Sequence, residues 1–184
     1  MSARRARTCT CNMADRRHLL RMVGLAAAGA ASIAAFGLPR LARAAGATDA
    51  LLLSCMDYRL MDDVARYMEG RELAEKYDHV ILAGASIGVT NDKYPAWGQT
   101  FWDHVGVAAK LHRIRRVIVM DHRDCGAYKL FLGPEHAKDR AAETAAHARE
   151  AAKLKAAIKE KHPELEVELL LMALDGSVEP IASV

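Results

Sequence analysis

Two short segments hold the residue types that can do chemistry: Ser54-Cys55-Met56-Asp57-Tyr58-Arg59 and Asp121-His122-Arg123-Asp124-Cys125-Gly126. Between them they offer two thiols, an imidazole, and a carboxylate with its own arginine. Thiolate and imidazole are preferred ligands of zinc, and three protein ligands leave a fourth tetrahedral position open, the arrangement of a catalytic rather than a structural site. Cys55, His122 and Cys125 are therefore the candidate metal ligands. Water at such a position falls to a pKa of roughly 7 in the best catalytic sites. Two thiolates already cancel the metal's double charge, so this ion would be a weaker acid than one in an all-histidine site. Asp57 lies two residues after Cys55 and Arg59 two further on, a spacing that puts all three on one side of an extended backbone. Asp57 is expected either to ligate the metal or to accept a hydrogen bond from the bound water, with Arg59 keeping it ionised. Alone, C-x-D-x-R reads as an ordinary ion pair, and H-x-x-C is a weaker metal signal than C-x-x-C. Their combination at two strand ends is specific.

The elements that must position these residues are legible around them. Ala50–Ser54 is a short apolar run that reads as a buried strand. Residues 60–77 carry a helical apolar pattern interrupted by Gly70, and residues 79–84 read as a second strand. Residues 94–116 begin with a turn at Pro95 and place Trp97, Phe101, Val105, Ala108 and Leu111 at helical spacing, a stripe expected to pack. Residues 116–120 form a continuous β-branched strand pattern, 137–161 an alanine-rich charged helix ending before Pro163, and 166–174 a fourth strand closed by Asp175-Gly176. Strands alternating with helices predict an α/β domain, a mainly parallel central sheet flanked by helices. In such sheets ligands bind outside the carboxyl ends of the strands, where Cys55 and His122 would lie.

The chain of 184 residues does not read as one uniform unit. Residues 1–44 hold eight arginines, no lysine and one acid, Asp15. An Ala/Gly-rich apolar run from Val23 to Leu38 follows, then Pro39 and Ala42-Arg43-Ala44, the pattern of a cleavable export signal. Within it Arg16-Arg17-His18-Leu19-Leu20 resembles the twin-arginine motif, and Met13 is an alternative start. The expectation is a removed leader (1–44), one zinc-binding α/β catalytic domain (45–184), a periplasmic location and no stable membrane association after cleavage. Without the leader, 18 basic residues stand against 22 acidic ones, about −4, so the overall +3 gives no argument for nucleic-acid binding. Cys9 and Cys11 leave with it. A Cys55–Cys125 disulfide, the default for two cysteines in an oxidising compartment, is the principal rival to a metal site.

The two segments resemble the beta class of carbonic anhydrases, in which C-x-D-x-R follows the first strand and H-x-x-C-G a later one. The resemblance covers most of residues 50–180. It implies a parallel-sheet α/β fold and one Zn2+ per chain held by Cys55, His122 and Cys125. Asp57 and Arg59 would be the dyad controlling the fourth position, with Asp57 itself the fourth ligand in a closed state. The implied reaction is reversible hydration of carbon dioxide to bicarbonate by zinc-bound hydroxide, in a homodimer or higher homo-oligomer. Alternatives on the same site are hydrolysis of carbon disulfide or carbonyl sulfide, and non-catalytic zinc binding in the periplasm. This chain departs from the family pattern where Ile81-Leu82-Ala83-Gly84 replaces a polar R-N-A-G. It departs again where Asp121 replaces the glycine before the metal histidine, which suggests that Asp121 orients His122.

Overall fold

The computed structural model describes residues 46–182; the leader and its export motif, the alternative start, and Cys9 and Cys11 lie outside the described residues. A five-stranded sheet forms the centre, in the order β2-β1-β3-β4-β5. The strands are β1 Ala50–Ser54, β2 Tyr77–Ile81, β3 Arg116–His122, β4 Glu166–Met172 and β5 Val178–Pro180. The first four are parallel and β5 is antiparallel to β4. The expected α/β architecture is therefore present, with one antiparallel edge that the sequence pattern did not disclose.

Alternation along the strands sorts the core into two faces. Leu51, Leu53, Val117, Val119, Leu169 and Leu171 pack with Phe101, Val105 and Ala108 of α3 (Pro95–His112) and with Ala151, Leu154 and Ile158 of α5 (Arg140–Lys161). Leu52, Ile118, Met120, Leu170 and Met172 face Leu60 and the buried side of α1 (Met61–Gly70), where Val64 and Met68 lie. Of the stripe on α3, Phe101, Val105 and Ala108 are buried, but Leu111 is 60% exposed near the helix's end. The pattern read as one helix over 60–77 stops at Gly70, and β2 begins at Tyr77, two residues before its apolar run. Helix α5 starts at Arg140 because Asp139 caps it, its carboxylate accepting the Ala142 N–H at 2.7 Å.

The strand order places the site. From β1 the chain goes outward to β2, then crosses back over β1 to β3 on its other side, so β1 and β3 are neighbours at the point where the winding reverses. Ser54 pairs with Met120, which puts Cys55 beside the last residues of β3. A short helix, α2 (Ser86–Thr90), follows β2, and α4 (Gly126–Leu132) follows β3 and brings Cys125 to its N-terminus. Among the described residues no helix is long and apolar enough to cross a membrane.

Candidate metal centre

At this switch point the ligand atoms of Cys55, His122 and Cys125 all lie within 4.8 Å of one another, the only such group of three found among the described residues. Both cysteines are free, with their sulfurs 4.0 Å apart. A sulfur pair on tetrahedral zinc, with Zn–S near 2.3 Å, stands about 3.8 Å apart, so the spacing suits a metal, whereas a disulfide needs about 2.05 Å. His122 is 3% exposed. Its Nδ1 lies 2.8 Å from the Arg123 carbonyl oxygen, which can only accept, so Nδ1 carries a proton and in the neutral ring Nε2 is the atom with the lone pair. Nε2 is buried and has no hydrogen-bond partner. A buried ring nitrogen left without a partner is costly, and here it faces two sulfurs.

The electrostatics of the three groups are linked. Hydrogen bonding from Cys125 lowers the Cys55 thiol pKa most, against the opposing effect of burial, with His122 and the Gly84 N–H adding to it. Cys125 is pushed up by its bond to Cys55 and by burial. Burial lowers His122, but the neighbouring Cys55 outweighs it and the net direction is upward. One thiolate, one thiol and an imidazole drawn toward protonation form a set whose protons a cation would displace.

The Gly84 N–H donates to Cys55 Sγ at 3.2 Å. Gly84 has φ +81, and a Cβ there would meet Ile87 Cγ2 at 2.6 Å and Ala127 Cβ at 2.8 Å, so the donor position admits only glycine. Ile81-Leu82-Ala83-Gly84 thus serves the site through its backbone.

Asp57 and Arg59 meet, but on a turn rather than an extended strand. The Arg59 N–H donates to Asp57 Oδ1 at 3.0 Å, and the Leu60 N–H reaches the Asp57 carbonyl. Arg59 Nε and Nη2 grip the two carboxylate oxygens at 2.9 and 2.8 Å. These side-chain bonds lead the causes that lower Asp57 to about 2, so the carboxylate is ionised throughout the neutral range. Asp57 Oδ2 sits 3.8 Å from His122 Nε2. Two ligand atoms on tetrahedral zinc at N and O distances stand about 3.3 Å apart. Asp57 is thus beside the candidate trio, farther from His122 than a shared zinc would place it, and bound to arginine.

The expectation that Asp121 orients His122 is corrected. Successive strand residues point to opposite faces, and Asp121 turns away from the candidate metal ligands. Its carboxylate accepts from the Ser86 N–H (3.0 Å), Ser86 Oγ (2.5 Å), Tyr128 OH (2.7 Å) and His147 Nδ1 (3.1 Å), with Asp121, Ser86, Tyr128 and His147 all buried. Burial, and next the Asp121 charge, raise the Tyr128 pKa well above its ordinary value.

The support of the ligand loop lies in residues that motif reading did not single out. Arg123, 7% exposed, donates to Glu143 Oε2, Thr144 Oγ1 and Glu179. Glu143 Oε1 also accepts the Asp124 N–H at 2.6 Å. Asp124 Oδ2 accepts from Arg59 Nη1 at 2.9 Å. The charges inside H-R-D-C were a signal, but their partners arrive from α5 and β5, far along the chain. In front of the loop an open cleft of about 510 Å3 is lined by Cys55, Met56, Asp57, Arg59, Ala83, Cys125, Ala127 and Lys129.

Comparisons with known proteins agree with this geometry. Residues 45–182 match the family model described as "Putative carbonic anhydrase". An uncharacterized protein of Rickettsia conorii is 45% identical over 131 residues, 71% of this chain and 70% of that protein. A second from Rickettsia bellii is 42% identical over 131 residues, 71% of this chain and 80% of its own length. Among solved structures, the Streptococcus mutans carbonic anhydrase covers 88% of this chain and 97% of its own at 16% identity, TM-score 0.53. The Aspergillus fumigatus β-carbonic anhydrase CafA covers 91% of each at 17% identity, TM-score 0.52. Tetrameric β-carbonic anhydrases of Sordaria macrospora cover 90% of this chain and 96% of theirs at 13% identity, TM-score 0.50. These likenesses carry the fold, the family match carries the membership, and the chain belongs to the family of that carbonic anhydrase model.

Proposed function

We propose that this protein is a zinc-dependent carbonic anhydrase that hydrates carbon dioxide reversibly to bicarbonate, with Cys55, His122 and Cys125 holding the metal. The observation that carries the reading is the buried, partnerless His122 Nε2 facing two sulfurs 4.0 Å apart. Zinc bound there supplies Lewis-acid activation of a water at its one position free of protein ligands.

The chain's own residues do the rest. Asp57 Oδ2 would accept a hydrogen bond from the activated water and orient its lone pair into the cleft. Arg59 keeps Asp57 ionised and turned toward the water, so Asp57 positions rather than stores the proton. The Gly84 N–H takes up part of the Cys55 thiolate charge, which limits how far two sulfurs weaken the metal as an acid. Ala83, Ala127 and Met56 give the cleft apolar walls suited to an uncharged linear gas, and Lys129 at its edge suits an anionic product.

Met56 (64% exposed) and Tyr58 (86% exposed) stand at the cleft's rim, and the Sordaria macrospora proteins are tetrameric; both support a homodimer or higher homo-oligomer. The charge and apolar pattern of residues 1–44 supports twin-arginine export to the periplasm with removal of that leader.

The test is metal analysis with stopped-flow hydration on the purified protein. One zinc per chain is expected, with hydration that falls roughly 100-fold or more in Asp57→Ala while zinc is retained. Zinc without hydration would overturn the assigned reaction, and carbonyl sulfide or carbon disulfide turnover in the same preparation would replace it. A metal-free protein with a Cys55–Cys125 disulfide would overturn the site.

A further inference from the structure

We propose that Asp124 is a positioning residue: by anchoring the far edge of Arg59 it keeps the arginine fork on Asp57 and so holds the Asp57 carboxylate away from the metal's fourth position. This rests on the metal-site reading above and adds a control element to it.

The Arg59 guanidinium is used on both edges at once. Nε and Nη2 take the two oxygens of Asp57, while Nη1 takes Asp124 Oδ2 at 2.9 Å and Nη2 also reaches the Asp124 carbonyl at 3.1 Å. The two carboxylates therefore do not compete; together they bracket one planar cation. Without the Asp124 carboxylate, a side chain that is one-third exposed would keep, besides the Asp124 backbone carbonyl, only the partner it is meant to restrain.

Asp124 is itself held. Its backbone has φ +54, a left-handed conformation that aspartate, asparagine and glycine tolerate best. Its N–H is fixed by Glu143 Oε1 and its successor is the candidate ligand Cys125. The direction of its carboxylate is thus set by the loop that carries His122 and Cys125. Through Arg59, the segment after β1 is keyed to the segment after β3. What this restrains is a short movement: Asp57 Oδ2 is 3.8 Å from His122 Nε2, against about 3.3 Å for two atoms sharing a tetrahedral zinc. A carboxylate that closes that gap occupies the position a water or substrate-derived anion needs.

The test uses full-length protein loaded with cobalt(II), with azide affinity read from the visible spectrum. Azide competes with Asp57 for the fourth position. Removal of one negative charge would by itself tighten azide binding, and would do so whether or not Asp57 is present. Asp124→Gly suits the backbone and deletes the acceptor; Asp124→Asn suits the backbone and leaves a neutral one. Asp124→Gly is compared in the wild-type and Asp57→Ala backgrounds. The expected result is a coupling of about two- to fivefold, the range of a half-exposed ion pair, with azide weaker only when Asp57 is present and Asp124→Asn intermediate. Equal effects in both backgrounds, or none in either, would overturn the proposal while leaving the metal site intact. Failure of the parent protein to bind cobalt or zinc would instead overturn the site.

Discussion

Asp121 and His122 are consecutive residues at one strand end, and their surroundings are opposite. Asp121 is 1% exposed with four donors on its two oxygens. His122 is 3% exposed with one nitrogen satisfied and the other partnerless. One polar group is sealed and complete; its neighbour is sealed and incomplete. Buried nitrogens without a hydrogen-bond partner also occur at Arg123, His136 and His147, and what sets His122 apart is that its ligand atom lies within 4.8 Å of two thiol sulfurs. The unpaired nitrogen together with the two sulfurs beside it separates a site from a scaffold more sharply than burial or charge alone. Asp121 ties Ser86, Tyr128 and His147, hence α2, α4 and α5, to the end of the sheet, and His122 uses that rigidity on the other face.

Cys125→Ser tests the incomplete side and carries the largest effect. A structural zinc site supplies roughly 10–16 kcal/mol from four ligands, about 2.5–4 kcal/mol for each, so zinc affinity should fall roughly 60- to 700-fold. The metal-free protein should unfold at nearly the same denaturant concentration as the metal-free parent. Unchanged zinc affinity in a chelator competition would remove Cys125 from the ligand set.

The complete side responds in the opposite sense. Asp121→Ala leaves buried donors from Ser86, Tyr128 and His147 without an acceptor and should cost about 3 kcal/mol of folding stability, by urea denaturation of the metal-free protein. A cost under about 1 kcal/mol would mean that the network is ornamental and the contrast with His122 false. Gly84→Ala lies between the sides. Its Cβ would press into Ile87 and Ala127 at a φ of +81, so a loss of about 1–3 kcal/mol is expected, with zinc affinity reduced as the N–H leaves Cys55. Stability lost without any change in zinc affinity would make Gly84 a packing residue only.

What the sequence disclosed follows the same division. The parallel strands were legible because a strand buried on both faces is a continuous apolar run, as in Leu51-Leu52-Leu53 and Val117-Ile118-Val119. The convergence of the candidate trio was legible because thiol and imidazole at strand ends have few other uses. Asp121 was misjudged because adjacency in sequence was taken for adjacency in space, although strand pleat sends neighbours apart. Arg123, Glu143 and Glu179 were missed because charged residues on a polar helix or edge strand look solvated until the fold brings them together. β5, three residues long and carrying Glu179 and Pro180, has no apolar alternation to announce it.

The smallest effect belongs to that edge strand. Glu179 bridges from β5 to Arg123, and its carboxyl is held below the usual range chiefly by hydrogen bonding to that guanidinium. A lowered folded pKa means that the stabilisation is present above the unfolded glutamate value, about 4.3, and is lost as pH falls through the folded value. Glu179 is half-exposed, so Glu179→Gln should cost no more than about 1 kcal/mol at pH 7. The gap between variant and parent in urea denaturation should then close as the pH is taken below the ordinary glutamate range. A gap that persists there would mean that Glu179 acts by packing and not by charge. A gap as large as that of Asp121→Ala would erase the distinction drawn here, because a solvated brace on Arg123 would then matter as much as the sealed carboxylate two residues before it.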